Sequence, residues 1–433
     1  MVSRNSDTLT RTPKLRTSIR KVALCALSIL IVGLVWVGWP IYGFLSNQYE
    51  TARLPWGWQA LPNEMPRDEF VAKPAFADVG SDAMQILAKR REEIGAPSLS
   101  AAIVIDGELV WAGAIGWSDV AKRIPATIQT SYRIGSTSKP VGITGLARLA
   151  AAGKIDIDVP ISSYSNDLPN KAWDSFTAHQ LASHTAGLAG YEENNDWVGF
   201  YQSLALTTRY DDPKQALSVF NDSDVLFAPK DDFHYSSFDN VLLSAVIQDA
   251  AGQPFNNVMS QYVFDPLELK ATVPDYLRDG TQPFARSYQI KGNQVKPWRR
   301  VDLSHKLAGG GYVSTPSELA RLGAAWLDDD FIPREVRDIF WTPAQLSNGE
   351  INEQNYALGF RRASWPIEGV GDVIHLNHGG VSKGAQCWLM IAPEHELSLA
   401  ISVNRRTDEF FDFADVYADL LEVFIPASDN IPK

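Results

Sequence analysis

A chain of 433 residues, 45% of them hydrophobic and 21% charged, can bury a sizeable core in one large domain or two smaller ones, which excludes a peptide or a disordered tail. Its net charge of −12 argues against nucleic acid as a partner. Two cysteines, Cys25 and Cys387, are too few for a disulfide framework.

The chain opens with a basic arm, residues 1–21, in which Arg4, Arg11, Lys14, Arg16, Arg20 and Lys21 face only Asp7; removing the arm's +5 from −12 leaves −17 for the remainder. Every residue from Val22 to Trp39 is apolar or small, and Ile41 to Leu45 extends the run, so 22–45 is long enough to cross a bilayer as a helix. Positive charge stays on the cytoplasmic side, and Trp36, Trp39 and Tyr42 stand at the far end as an aromatic belt would. A cleaved signal peptide shares part of this pattern, but the run is long and no Ala-x-Ala-like site follows. The expectation is an uncleaved, single-pass cell-membrane anchor with its N-terminus cytoplasmic and the rest outside the cytosol, periplasmic in a bacterium. Residues 46–76, with Pro55, Pro62, Pro66 and Pro74 beside Trp56 and Trp58, read as a Pro-rich spacer near the membrane surface. A globular domain over 77–426 and a short tail, 427–433, complete the chain.

Within that domain a helix is expected at about 82–94, stopped by Gly95, and Ser98–Ile105 and Glu108–Ile115 form a hairpin turned by Asp106-Gly107. The stretch Ile134-Gly135-Ser136-Thr137-Ser138-Lys139-Pro140 leads into a helical run, Val141 to Ala152, with Gly153 as its stop. A short helix lies within 177–188, the middle of the chain to about Leu327 is helical and loop-rich, Ala385–Ile391 and Leu397–Val403 are strands, and a last helix spans about 411–424. Strands at both ends with helices between them give an α+β class: one antiparallel sheet closed by the two termini, with a helical insertion beside it.

The chemistry concentrates at Ser136 and Lys139. A hydroxyl three residues before an amine at the positive end of a helix dipole pairs a nucleophile with a base, and burying a lysine is costly unless it loses its proton. Acylation also needs a proton shuttle, and Tyr235, in Phe233-His234-Tyr235-Ser236-Ser237-Phe238-Asp239-Asn240, is the candidate if a cation such as Lys139 stabilises its phenolate.

These motifs resemble the serine β-lactamase and penicillin-binding protein superfamily, in its class C-like branch, over roughly residues 80–425. Ser136-Thr137-Ser138-Lys139 matches the nucleophile motif, Tyr235-Ser236-Ser237 stands at the Tyr-x-Asn position, and His378-Gly379-Gly380 stands at the Lys-Thr-Gly position. His184-Thr185-Ala186-Gly187-Leu188, Ala308-Gly309-Gly310-Gly311-Tyr312 and Gly384 fit the flanking pattern. The resemblance implies a β-lactamase/transpeptidase-like fold, an antiparallel sheet flanked by helices with an all-helical subdomain. It also implies that Ser136 attacks, Lys139 accepts its proton, Tyr235 protonates the leaving group and later activates water, and His378 faces the pocket from an edge strand. The amides of Ser136 and Val381 would form the oxyanion hole, with Ser237, Gly379 and Gly380 lining the substrate pocket.

Two departures bear on substrate. Ser237 replaces an asparagine that recognises acyl-amide side chains, and His378 replaces a lysine that meets a substrate carboxylate; a histidine mostly neutral at pH 7 is a weaker clamp. An ester or a differently decorated amide therefore outranks a β-lactam. No cofactor is expected, and no metal, since His375 and His378 on one strand would point to opposite faces. His184 reads as a structural histidine. The expected function is a membrane-anchored serine hydrolase cleaving a small-molecule or peptide ester or amide through a Ser136 acyl-enzyme. The alternatives are a D-amino-acid (cell-wall) peptidase, a weak β-lactamase, or a non-catalytic scaffold.

Overall fold

The computed structural model describes residues 13–47, 54–278, 280–407 and 410–429, and the chain divides into two units, Met1–Arg53 and Leu54–Lys433. In the first, helix α1 (Pro13–Asn47) contains a 27-residue stretch, Arg20–Ser46, within which an 18-residue window reaches a mean hydropathy of 2.4. At 1.5 Å per residue that stretch is about 40 Å long, enough to cross a membrane.

The second unit is built on β1 (Arg67–Val71), α2 (Ala77–Ile94), β2 (Ser98–Ile105), β3 (Glu108–Asp119), α3 (Ser138–Ala151), α4 (Ser237–Ala251), α5 (Pro316–Ala325), β4 (Arg361–Ile367), β5 (Gly371–Ser382), β6 (Ala385–Ala392), β7 (Leu397–Val403) and α6 (Asp415–Asp429). The main sheet runs β4-β5-β6-β7-β2-β3-β1, antiparallel throughout, with Ile124–Pro125 paired off β3. The two ends of the chain meet inside it where β7 pairs with β2, from Leu397 opposite Ile105 to Val403 opposite Leu99. The sheet is nevertheless open, with β1 and β4 as its edges, and in that respect the expected closure by the termini is corrected.

Every residue of β2, β6 and β7 is buried, and their side chains alternate between two cores. Ala102, Val104, Leu389 and Ile391 face one that includes residues of α3, α4 and α5; Ala101, Ile103, Met390 and Leu399 face the other, with residues of α2 and α6. A strand covered on both faces has no solvent-facing side to show, which explains why β6 and β7 are apolar but for the buried Gln386, Ser398 and Ser402. The pair α2 and α6 is clamped by Arg90, whose Nε donates to Asp419 at 2.7 Å. The hairpin between β2 and β3 turns at Asp106 and Gly107, both at positive φ (50° and 76°), as the twist of a tight hairpin requires.

Three boundaries differ from expectation. Helix α2 begins at Ala77, five residues early, and the last helix begins at Asp415 after a short turn, Phe410–Phe413. Part of the span read as a spacer is sheet: Gln59–Ala60 pairs with residues 294–295, and β1 pairs with β3. Polar side chains fix that segment, with Glu69 accepting from Trp111 Nε1 at 2.9 Å and Asp68 from the Ile128 amide at 2.9 Å, so low hydrophobicity masked its place in the domain.

Candidate active site

The site forms where the start of α3 meets the C-terminal end of β5. Gly135–Thr137 is a single 3-10 turn running into α3, with Gly135 at φ 54°. A Cβ on Gly135 would lie 2.5 Å from the carbonyl carbon of Val381, and one on Gly380 would sit 2.6 Å from the Thr137 amide nitrogen. Two bare backbones therefore pass each other here, bringing the Ser136 turn against the Val381 peptide. Thr137 fastens the contact, its Oγ1 donating to the His378 carbonyl at 3.2 Å. Strand β4 pairs with β5 only as far as Asn377, so His378 to Ser382 lie beyond the end of β4's pairing, on the side where the turn docks.

Ser136 is half-buried, and Lys139, one turn along, is fully buried. The Lys139 Nζ donates to the Gly309 carbonyl at 3.1 Å and to Ser237 Oγ at 3.3 Å, and stands 4.5 Å from the centre of the Tyr235 ring. Burial pushes the amine down to about 7, and the nearby charges of Lys306 and Arg361 add to the depression. At neutral pH a large fraction of Lys139 is thus an uncharged amine, able to take a proton.

Tyr235 precedes α4, whose N-cap Ser236 accepts from the Phe238 amide at 3.1 Å and donates to the Ala189 carbonyl at 2.8 Å. Burial pushes the Tyr235 phenol up to about 12, opposed by the Arg361 cation and the Ser136 hydroxyl. It is therefore protonated at rest. The cations that counter the rise are Arg361, 5.3 Å from the ring centre, and Lys306, which corrects the expectation that Lys139 plays this part: a neutral amine cannot.

His378 is buried in the site, its Nδ1 donating to the Gly379 carbonyl at 2.8 Å. That bond leaves Nε2 as an acceptor, facing the Tyr356 hydroxyl at 3.0 Å and the Tyr235 hydroxyl at 3.5 Å. Burial and the Arg361 charge hold the ring well below its ordinary pKa, so it is neutral. His375, on the opposite face of β5, packs its ring 6.4 Å from that of Tyr417 in α6.

Beneath Tyr235 lies a pair that sequence reasoning left without a joint role. His184 Nδ1 is 2.6 Å from Asp239 Oδ2, and the His184 ring packs tilted against Tyr235 at 4.4 Å and edge-on against Tyr356 at 4.8 Å. Burial drives Asp239 up and His184 down, both toward their neutral forms. Asp239 stands four residues after Tyr235, one turn into α4, and that spacing was the available signal. Arg361, Tyr356, Tyr191 and Lys306 were also missed. Lys306 Nζ donates to the Tyr191 hydroxyl at 2.6 Å, and Arg361 donates through Nε and Nη2 to Gln354 Oε1 at 3.0 and 2.6 Å.

The structure brings together Ser136, Lys139, Tyr235, Ser237 and His378, with the Val381 peptide against the Ser136 turn. Gly379 and Gly380 lie in the same stretch of β5, where the small size of Gly380 serves backbone packing against Thr137. A family profile described as Beta-lactamase matches residues 83–424, nearly the whole globular unit. The chain belongs to the beta-lactamase family. Its fold is the β-lactamase/transpeptidase-like one. The human mitochondrial serine beta-lactamase-like protein LACTB is 26% identical over 406 residues, covering 74% of this chain and 73% of that protein. Among solved structures, the D-amino acid amidase of Ochrobactrum anthropi SV3 with L-phenylalanine amide superposes with a TM-score of 0.63 at 22% identity, covering 80% of this chain and 99% of that one. EstCE1, a hydrolase with promiscuous acyltransferase activity, superposes with a TM-score of 0.65 at 20% identity, covering 81% and 100%.

Proposed function

We propose that this beta-lactamase family protein is a membrane-anchored serine hydrolase that cleaves small esters through an acyl-enzyme on Ser136. The observation that carries the reading is the fully buried Lys139, its amine pushed down to about 7, one helical turn from a half-buried serine. Lys139 takes the Ser136 proton as Oγ bonds to the acyl carbon. The phenol of Tyr235, protonated at rest, gives its proton to the departing alcohol and, as phenolate, then draws one from the water that releases the acid. The amides of Ser136 and Val381 receive the oxyanion, a donor pair of which each member is typically worth about 2.7–4 kcal/mol. Helix α1 holds the unit at a membrane, with the basic arm on the cytoplasmic side and the catalytic unit on the other.

Ester preference follows from two side chains. Ser237 Oγ accepts from Lys139 and offers no amide to a substrate's acyl-amide group, and the neutral His378 supplies no cation. A second reading, a peptidase acting on peptides that end in a carboxylate, is favoured by Arg361, whose partner Gln354 is neutral and leaves its charge uncompensated. The test is turnover by the purified full chain in detergent of p-nitrophenyl acetate, a D-Ala-D-Ala peptide and nitrocefin. Ester hydrolysis should dominate and vanish in Ser136→Ala. Peptide turnover above ester turnover would select the second reading, and turnover unchanged by Ser136→Ala would remove both.

A further inference from the structure

A second charged feature lies apart from the Ser136 machinery. A cavity of about 550 Å³ is lined by Arg133, Arg209, Arg278, Arg286, Arg299 and Arg300 against three carboxylates, Asp119, Asp275 and Asp302. That lining carries three more positive charges than negative ones, and two more once Asp211, which pairs with Arg209 Nε at 2.7 Å, is counted, in a chain whose net charge is −12.

The carboxylates do not neutralise the arginines one by one. Asp275 is shared, accepting from Arg133 Nε at 3.0 Å and Arg278 Nε at 2.8 Å. Asp119 is 3.7 Å from Arg286, and Asp302 accepts from the Ser304 amide at 2.8 Å. A carboxylate held at Nε leaves the Nη1/Nη2 edge as a donor pair for another anion. Two guanidiniums are also held over aromatic rings, Arg278 at 3.7 Å from the Phe284 ring centre and Arg209 at 3.8 Å from that of Tyr276, so part of their ordering is accomplished before any ligand arrives. Two polar atoms of the lining are buried with no hydrogen-bond partner: Arg299 Nε and Ser287 Oγ. Buried donors are normally satisfied, and a pair of orphans in an arginine-lined cavity points to an acceptor-rich ligand.

We infer that this cavity binds a small multivalent oxyanion, with two or more phosphate or carboxylate groups on one molecule. The volume lies in the range of small-molecule sites and exceeds what a single phosphate fills. The cavity also abuts the turn that follows β5, since a side chain on Gly384 would collide with the Trp298 ring that lines it. An anion seated there is thus placed against the segment that carries the Val381 peptide.

The test is calorimetric titration of the full chain in detergent with inorganic pyrophosphate and with citrate, at low and moderate salt. The inference expects at least one probe to bind, with affinity falling as salt rises, and expects the double variant Arg286→Gln/Arg300→Gln to bind at least tenfold more weakly. Ester hydrolysis and thermal midpoint serve as the check that this variant folds. Binding of pyrophosphate alone assigns phosphate chemistry, and binding of citrate alone assigns carboxylate chemistry. No heat with either probe at low salt, or a double variant that binds within twofold of the parent, overturns the inference. Should the variant fail to fold, protection of Arg286 and Arg300 in the parent from phenylglyoxal by the same probes, read by peptide mass, decides the matter: protection supports the site and equal modification rejects it.

Discussion

Replacing Lys139 with methionine should sharply lower activity and, near neutral pH, make the protein more stable. The lysine is fully buried and its amine titrates near 7, whereas in the unfolded chain it titrates near 10.5. Between those values the unfolded chain holds a proton that the folded one does not, so stability rises with pH across 7 to 10.5 and the full cost of burial is felt below 7. At 1.36 kcal/mol per pKa unit that cost is about 5 kcal/mol. Methionine fills nearly the same volume without the charge but leaves the Gly309 carbonyl and Ser237 without their donor, a loss of about 1–3 kcal/mol. Lys139→Met should therefore be more stable than the parent by about 2 kcal/mol or more at pH 7, and less stable by about 1–3 kcal/mol above pH 10.5, where only the lost hydrogen bonds remain. Urea unfolding of both proteins at pH 7, 8.5 and 10.5 measures the crossover, while ester turnover should fall about 10²–10⁴-fold. A stability difference that does not change with pH would show that Lys139 is not a buried amine with a depressed pKa.

Other perturbations follow from the same geometry. Arg361→Gln removes a charge that holds down both Lys139 and Tyr235, so both limbs of the pH profile of kcat/KM should move to higher pH; a fixed or acid-shifted lower limb contradicts the assignment. Gly380→Ala drives a methyl into the Ile134 carbonyl and the Thr137 amide, and should lower kcat about 10²-fold by moving the Val381 peptide off the Ser136 turn, while circular dichroism shows the fold retained. Removing residues 1–53 should shift the protein from the membrane fraction to the soluble one. Full-length protein released by alkaline carbonate would mean that α1 is not an anchor.

What the sequence revealed was what is local. Ser136 and Lys139 are one turn apart whatever surrounds them, and Asp106-Gly107 encodes its own hairpin. The β4 strand escaped notice because Arg361-Arg362-Ala363-Ser364-Trp365-Pro366-Ile367 is polar and carries a proline, features suited to a sheet edge and indistinguishable by composition from a loop. With β4 went Arg361, one of the cations that add to the effect of burial on Lys139 and oppose it on Tyr235. The His184 and Asp239 pair joins residues 55 apart in the chain, and no periodicity announces such a contact. The identity of the group that counters the rise in the Tyr235 pKa depended on knowing that Lys139 is dry, which burial alone reveals.

Activation of Ser136 by a buried amine is tested most directly by the pH dependence with which a fluorophosphonate labels it. In the parent the labelling rate should climb as pH rises through about 7 and then level off, with mass spectrometry placing one label on Ser136. A rate that rises only near the ordinary lysine range of about 10, or equal labelling of Ser136→Ala, would contradict a serine activated by a neutral lysine.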